Sequence, residues 1–132
     1  MIVAGKTNNI YTKATTSEIV DMEDPTRVCK SPVTYPNPVG AAIGGLVNSV
    51  PMVCGGTSYG TIYEKSCYQF DANNYVWNYS HDMGQDRTLS ASANFCGFLW
   101  VTGGDNKGSS NSTELVNLSG SIPGPELPSW YR

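Results

Sequence analysis

The feature that most constrains the fold of this chain is an internal repeat. The pair Gly55-Gly56 recurs as Gly103-Gly104, an offset of 103 − 55 = 48 residues. Residues 17–22 (SEIVDM) recur at twice that distance as residues 113–118 (TELVNL). Each copy alternates apolar and polar side chains, as a half-buried strand does. The chain is therefore expected to build one strand unit several times.

Each repeat is predicted to contain four antiparallel strands in chain order, called a, b, c and d. Residues 50–54 and 98–102 are copies of strand b, because each runs into a double glycine. The pairs Asn48-Ser49 and Cys96-Gly97 separate strand a from strand b by two residues, the spacing of a tight hairpin. The predicted strands are residues 1–5, 17–22, 40–47, 50–55, 66–70, 75–79, 88–95, 98–103 and 113–118.

The double glycine, the aromatic residues after it and the period of about 50 residues resemble the kelch repeat. The residues that carry the resemblance are Val53-Cys54-Gly55-Gly56, Tyr68, Asp71, Trp77, Met83, Arg87 and Leu99-Trp100-Val101-Thr102-Gly103-Gly104. The resemblance implies an all-β fold, a kelch-type β-propeller fragment of consecutive four-stranded antiparallel blades. The single repeat region 1–132 would hold a partial blade at 1–37, a complete blade at 38–85 and a partial blade at 86–132. The cysteine before the double glycine and a second one in strand c are similar to those in cysteine-bearing kelch repeats of secreted animal proteins.

The repeated glycines and aromatic residues are expected to be structural. A double glycine lets the chain leave strand b with backbone angles that a Cβ would resist. Tyr68 and Trp77 are large, flat side chains that can fill the space between neighbouring sheets. Sheets of this kind bury their faces by stacking, so the ends of a short stack stay exposed. We therefore expect pairing with further blades or with a second copy.

Composition and charge argue against several functions. The net charge of −3 comes without a cluster of Lys or Arg, whereas binding to nucleic acid needs a basic footprint. No apolar run approaches the roughly 18 residues of a membrane-spanning helix. The first five residues are too short an apolar run for a signal peptide. Because the chain begins inside a strand pattern, we expect it to be a piece of a longer protein.

The four cysteines predict one disulfide. Cys54 ends strand b and Cys67 begins strand c of the same unit, and antiparallel neighbours can place two Cβ atoms at disulfide distance. The alternative is that both are small buried hydrophobic residues. Cys29 and Cys96 fall on different units and are not expected to meet.

Three N-x-S/T acceptors, Asn78, Asn111 and Asn117, are candidate glycosylation sites. Together with four cysteines they favour a secreted or extracellular protein, with a cytoplasmic protein as the alternative.

Catalytic and metal-binding patterns are weak. No two cysteines have CxxC spacing, and His81 is the single histidine, so no metal and no cofactor are expected. Ser80, His81 and Asp82 are adjacent in sequence, whereas a catalytic triad converges in space from separate segments. The sequence is interpreted as that of a non-enzymatic protein.

The function is expected to lie in loops. In a four-stranded meander the b–c and d–a connections emerge at one face, and loops on a rigid scaffold carry recognition. The candidate ligand-binding residues are Tyr59, Tyr63, Arg87, His81 and Asp82. Arg87 has an alternative role as a structural residue that bridges strands, and the whole set has the alternative of ordinary polar loops.

The first hypothesis is therefore a scaffold that binds a protein or glycan ligand. The second is a fragment of a propeller enzyme, an oxidase or a sugar isomerase, with its active residues on blades outside this chain.

Overall fold

A computed structural model describes residues 2–6, 13–18, 23–24, 26, 33–59 and 62–125. Over these residues the regular structure consists of short strands without a helix. Accordingly, no described segment forms a helix able to cross a membrane. The all-β prediction is confirmed.

The strands in chain order are β1 (Ile2–Lys6), β2 (Lys13–Glu18), β3 (Val33–Thr34), β4 (Val39–Gly40), β5 (Ile43–Val47), β6 (Val50–Cys54), β7 (Thr57–Ser58), β8 (Ile62–Tyr63), β9 (Ser66–Asp71), β10 (Val76–Asp82), β11 (Ala91–Phe95), β12 (Phe98–Thr102), β13 (Thr113–Val116) and β14 (Ser121–Pro123).

Two four-stranded antiparallel sheets form the centre of the described structure. Sheet 2 has the order β10-β9-β6-β5 and sheet 3 the order β11-β12-β13-β14. Each follows the predicted a–b–c–d meander, because consecutive long strands are neighbours. Sheet 1 has three strands in the order β1-β2-β3. A small fourth sheet has the order β4-β7-β8, with β4 just before β5 in the chain and β7 and β8 between β6 and β9.

The backbone itself repeats at 48 residues. Left-handed φ angles occur at Ala41 (54°) and Leu89 (55°), and again at Asn48 (48°) and Cys96 (50°). The second pair opens the two-residue turns of hairpins β5–β6 and β11–β12, as predicted. The first pair interrupts strand a, so the predicted strand 40–47 is split into β4 and β5, and the predicted strand 88–95 begins only at Ala91.

The double glycines have the role predicted for them. Gly56 and Gly104 have φ angles of 96° and 92°, which residues with a Cβ rarely adopt. A Cβ on Gly56 would lie 2.8 Å from the Gly40 carbonyl oxygen, and one on Gly104 would lie 2.6 Å from the Thr88 carbonyl oxygen. Only glycine lets the incoming strand a pass this close to the end of strand b.

Further differences between the predicted and observed strands concern β2, segment 86–132 and the shortest strands. Strand β2 begins at Lys13, four residues before the predicted start, while residues 19–22 lie outside the described residues. The segment 86–132, predicted to hold a partial blade, contains a complete four-stranded sheet because β14 pairs with β13. The two-residue strands β3, β7 and β8 are too short to produce an alternating pattern, and they were not predicted.

Strand c departs from the 48-residue step. The end of strand b pairs Cys54 with Cys67 in sheet 2 and Thr102 with Thr113 in sheet 3. The step along strand c is therefore 113 − 67 = 46 residues, because the b–c connection of sheet 3 is two residues shorter.

Sheets 2 and 3 share a core of aliphatic and sulfur-containing side chains. Its buried members are Ile43, Val47, Met52, Cys54, Cys67, Met83, Leu99, Val101 and Val116. A Cβ on Gly45 would lie 2.6 Å from Leu99 Cδ1, so the two sheets meet closely at this point.

Sheets 1 and 2 share an aromatic core, as predicted for Tyr68 and Trp77. The Tyr35 ring contacts two aromatic rings of sheet 2. Its centroid lies 5.3 Å from that of Trp77 and 5.2 Å from that of Tyr68. Trp77 Nε1 donates a hydrogen bond to Ser17 Oγ (3.1 Å), and Ser17 Oγ donates to the Val33 carbonyl oxygen (2.8 Å). Trp77 thus ties sheet 2 to two strands of sheet 1.

We predict that Trp77→Ala lowers the free energy of unfolding by about 3–5 kcal/mol, because it removes a buried indole and leaves a cavity. Trp77→Phe is the matched control. Phenylalanine keeps most of the apolar contact but loses the hydrogen bond to Ser17. The lost hydrogen bond should lower the free energy of unfolding by about 1 kcal/mol, in addition to the effect of the smaller ring. Urea unfolding followed by far-UV circular dichroism measures both. A loss under about 1 kcal/mol for the alanine variant would contradict this packing role.

Candidate binding face

The b–c and d–a connections meet at one face, as expected. In sheet 2 the b–c connection is residues 55–65, and the d–a connection to sheet 3 is residues 83–90. Gly56 N donates to the Arg87 carbonyl oxygen (2.8 Å), and Arg87 N donates to the Glu64 carbonyl oxygen (3.0 Å). Thr88 and Asp105 exchange two backbone hydrogen bonds, which attach the b–c connection of sheet 3. We call the solvent-exposed surface of the segments 55–59, 62–65, 83–90 and 103–112 the loop face.

Arg87 lies beneath the loop face and not on it. Its side chain is 0% exposed. Its Nη1 donates to the carbonyl oxygens of Gly103 (3.1 Å) and Ser112 (3.3 Å), and its Nη2 donates to Ser112 Oγ (2.9 Å). This burial argues against the candidate ligand-binding role of Arg87. Arg87 instead has the alternative role, that of a residue bridging strands.

The partner of Arg87 is a buried carboxylate that sequence analysis missed. Glu114 Oε1 lies 2.6 Å from Arg87 Nη2, and the Glu114 side chain is 7% exposed. The same carboxylate accepts backbone hydrogen bonds from Gly84 N (2.6 Å) and Gln85 N (3.1 Å). Glu114 therefore joins strand β13 of sheet 3 to the connection that arrives from sheet 2.

A signal for the burial of Arg87 exists in the repeat. One step of 48 residues before Arg87 is Val39, which is apolar and buried. Because repeated positions share an environment, Val39 marks position 87 as an interior one.

The two candidate tyrosines are on the loop face. Tyr59 is 73% exposed and has a left-handed φ of 41°. Tyr63 is half-buried, and its hydroxyl donates to Asp105 Oδ2 (3.2 Å). Desolvation raises the pKa of Tyr63, and the charge of Asp105 and the hydrogen bond to it raise this pKa further. Tyr63 is thus held in one orientation, while Tyr59 projects freely into solvent.

Two apolar residues at this face were not predicted. Ile62, beside Tyr63, is 54% exposed, and Leu89, next to Thr88, is 74% exposed. An exposed leucine in a left-handed conformation is unusual, because its backbone strain has no compensating burial. The loop face therefore presents more apolar area than its polar sequence indicates.

His81 and Asp82 stand at the end of β10. Asp82 is exposed, lies 3.5 Å from Lys65 Nζ, and accepts a hydrogen bond from the Tyr79 hydroxyl (3.1 Å). His81 is half-buried, and burial is the largest cause lowering its pKa. His81 Nε2 is buried without a hydrogen-bond partner among the described residues.

The contact between Ser80 and His81 does not form a catalytic pair. Ser80 Oγ donates its proton to the Leu118 carbonyl oxygen (2.9 Å). Since a hydroxyl has one proton, the 2.9 Å contact with His81 Nδ1 must use the ring nitrogen as donor. His81 in this arrangement cannot accept the Ser80 proton, so the serine is not activated as a nucleophile.

The predicted disulfide is present. Cys54 and Cys67 are bonded with an S–S distance of 2.04 Å, and their Cα atoms are 4.1 Å apart as paired residues of β6 and β9. Both are buried in the core between sheets 2 and 3. Cys96 is unpaired and exposed, and Cys29 lies outside the described residues.

The three candidate glycosylation acceptors differ in exposure. Asn78 is exposed on β10, whereas Asn111 and Asn117 are half-buried. Asn117 Oδ1 accepts a hydrogen bond from Ser119 N (2.8 Å), so this amide is already engaged. Within the described ranges no group of three or more His, Cys, Asp or Glu side chains is placed to hold a metal ion.

Comparison with known proteins defines the fold class alone. No protein-family model matches the chain, and no curated protein matches it. Among solved structures, 77 chains match. One of these, a structure of YjhT, is similar with a TM-score of 0.76 at 11% sequence identity. The similarity covers 89% of this chain and 45% of the YjhT chain, so the chain spans less than half of that protein's length.

We predict that Arg87→Ala lowers the free energy of unfolding by about 3–5 kcal/mol, because Glu114 would stay buried without its counter-charge. Lys65→Ala is the matched control. It removes the exposed ion pair with Asp82, so it should cost less than about 1 kcal/mol. Chemical denaturation of both variants measures the difference, and equal losses would refute the bridging role.

The His81 environment predicts a pH dependence. Its folded-state pKa lies below the ordinary value of 6.5, so the folded state favours the neutral ring. The neutral His81 ring therefore contributes its full stabilisation of the folded state above pH 6.5. This contribution is lost as the pH falls through the folded-state pKa. Asp82 and Glu114 oppose this shift and reduce it. Between pH 7 and 5, the free energy of unfolding should fall more steeply for the native chain than for His81→Gln. Superimposable curves would contradict the burial of the ring.

Proposed function

We propose that this chain is part of a kelch-type β-propeller that acts as a non-enzymatic binding scaffold. The propeller assignment is supported by the 48-residue repeat of sequence and backbone, by two successive four-stranded sheets packed face to face, and by the similarity to YjhT. The observation that carries the binding role is the loop face. There, connections from two sheets are joined by hydrogen bonds and present Tyr59, Ile62 and Leu89 to solvent.

The physical basis is a division between rigid support and exposed contact groups. The loop face is held from below by Arg87 and Glu114, which fix the d–a connection against sheet 3. Above this support, Tyr63 is oriented by Asp105 and Tyr59 is free. Tyrosine offers a large contact area with a polar end at modest entropy cost, which suits a protein or glycan ligand.

His81 and Asp82 have a lesser part in this proposal. His81 is half-buried, and Asp82 already interacts with Lys65 and Tyr79. They lie at the border of the loop face. Side chains at the border of a binding site mainly exclude water from the contact and contribute little to the binding free energy.

An extracellular setting fits the Cys54–Cys67 disulfide, because such bonds persist in oxidising compartments. In that setting Asn78 is the acceptor best exposed for a glycan.

The second candidate is a part of a propeller enzyme. One observation favours it, namely that the chain spans only 45% of the YjhT chain, so active groups could be carried by further sheets. It predicts turnover or a bound metal in the longer protein, and the scaffold proposal predicts neither.

The test is a binding screen with matched variants. The chain, secreted from eukaryotic cells with its disulfide formed, would be screened against a glycan array and a panel of purified extracellular proteins. For a ligand found in this way, Tyr59→Ala or Tyr63→Ala should weaken binding by about 2 kcal/mol, or roughly 30-fold. Val76→Ala, an exposed apolar residue of β10 outside the loop face, is the control and should bind normally.

Unchanged affinity for both tyrosine variants, with native circular dichroism, would refute the loop face as the ligand site. Turnover together with a bound metal would favour the enzyme.

A further inference from the structure

Sheet 3 has one apolar face that the described chain leaves uncovered. The strand register places Ala93, Trp100, Leu115 and Ile122 in one row across all four strands, on the same face. Phe95 extends this face and packs edge-on against Trp100 with ring centroids 5.9 Å apart. Phe95 is 62% exposed and Ile122 is 53% exposed. Isolated exposed apolar residues are ordinary, but a contiguous set across a whole sheet indicates a contact surface.

The repeat shows what kind of surface this is. A step of 48 residues carries Met52 to Trp100 and Val47 to Phe95. In sheet 2, Met52 and Val47 are fully buried, because sheet 3 lies on top of them. In strands a and b, the uncovered face of sheet 3 therefore corresponds to a face that is an interface in sheet 2.

The chemistry of the covering surface follows from the existing interface. Sheet 3 covers sheet 2 with Leu99, Val101 and Val116, all completely buried. Sheet 2 uses opposite faces for its two neighbours: Met52 points to sheet 3, whereas Val53 packs in the aromatic core with sheet 1. The stack therefore has one direction, and each sheet meets the next through unlike faces.

We propose that the uncovered face of sheet 3 binds a second copy of this chain, head to tail, so that the stack continues from sheet 3 of one copy to sheet 1 of the other. Two such contacts related by a two-fold axis close the assembly and leave neither end exposed. Each copy corresponds to 45% of the YjhT chain, so two copies together span nearly the length of that chain. The proposal depends on the stacking of the sheets and not on any ligand of the loop face.

The first experiment measures the oligomeric state of the 132-residue chain by sedimentation velocity from about 1 to 100 µM. We expect a dimer in this range. Phe95→Glu and Ile122→Glu should each weaken dimerisation by at least about tenfold, because they place a charge in the interface. Ile62→Glu is the matched control, an equally exposed isoleucine on the loop face, and it should leave dimerisation unchanged.

A monomer at every concentration overturns the proposal, and so does a dimer that only Ile62→Glu disrupts. Since Phe95 and Ile122 lie outside the loop face, ligand binding by these variants separates a failure of this proposal from a failure of the binding role.

A second experiment tests the head-to-tail direction. Phe95→Glu and Phe95→Lys chains would be mixed in equal amounts. If two sheet 3 faces met each other, the opposite charges would restore association. In the head-to-tail arrangement each Phe95 position meets sheet 1, so mixing should not restore the dimer to native strength. Full recovery on mixing would refute this arrangement.

Discussion

The described structure depends on a close approach between strands at each double glycine. Where strand b ends, the incoming strand a passes so near that a Cβ at Gly56 or Gly104 would overlap a backbone carbonyl. That approach lets the d–a connection form backbone hydrogen bonds with the b–c connection. The meeting of loops from neighbouring sheets at one face therefore depends on the glycine that ends the b strand in each repeat.

A buried ion pair then determines what kind of surface results. The Arg87 guanidinium is withheld from any ligand of the loop face, because Glu114 of sheet 3 pairs with it below the surface. Removing the charge from solvent leaves exposed tyrosine and aliphatic side chains to make contacts. The pair costs desolvation, and its surrounding backbone donors and acceptors offset that cost. The ion pair joins the d–a connection that follows sheet 2 to strand β13 of sheet 3, in addition to the packing between the two sheets.

The sequence was informative where an environment recurs and uninformative where a contact occurs once. The glycines, the hairpin turns and the Cys54–Cys67 pair could be predicted, because strand register within one unit fixes them. The partner of Arg87 could not, since Glu114 is 27 residues away on a different sheet and has no counterpart in sheet 2. The two-residue shift in strand c could not be predicted either, because a shift of two residues leaves the alternation of apolar and polar side chains unchanged. Burial of position 87 was nevertheless encoded, through Val39 in the previous repeat.

The repeat also separates positions that must stay alike from positions that can differ. Tyr59 and Lys107 are 48 residues apart and share a left-handed backbone, with φ angles of 41° and 54°. Ala41 and Leu89 form a second such pair. In both pairs the backbone conformation is kept while the side chain changes in size, charge or polarity, and all four residues are exposed. Stacking thus fixes the path of the loops and leaves their chemistry unconstrained, which is the physical reason for proposing recognition on the loop face rather than on the strands.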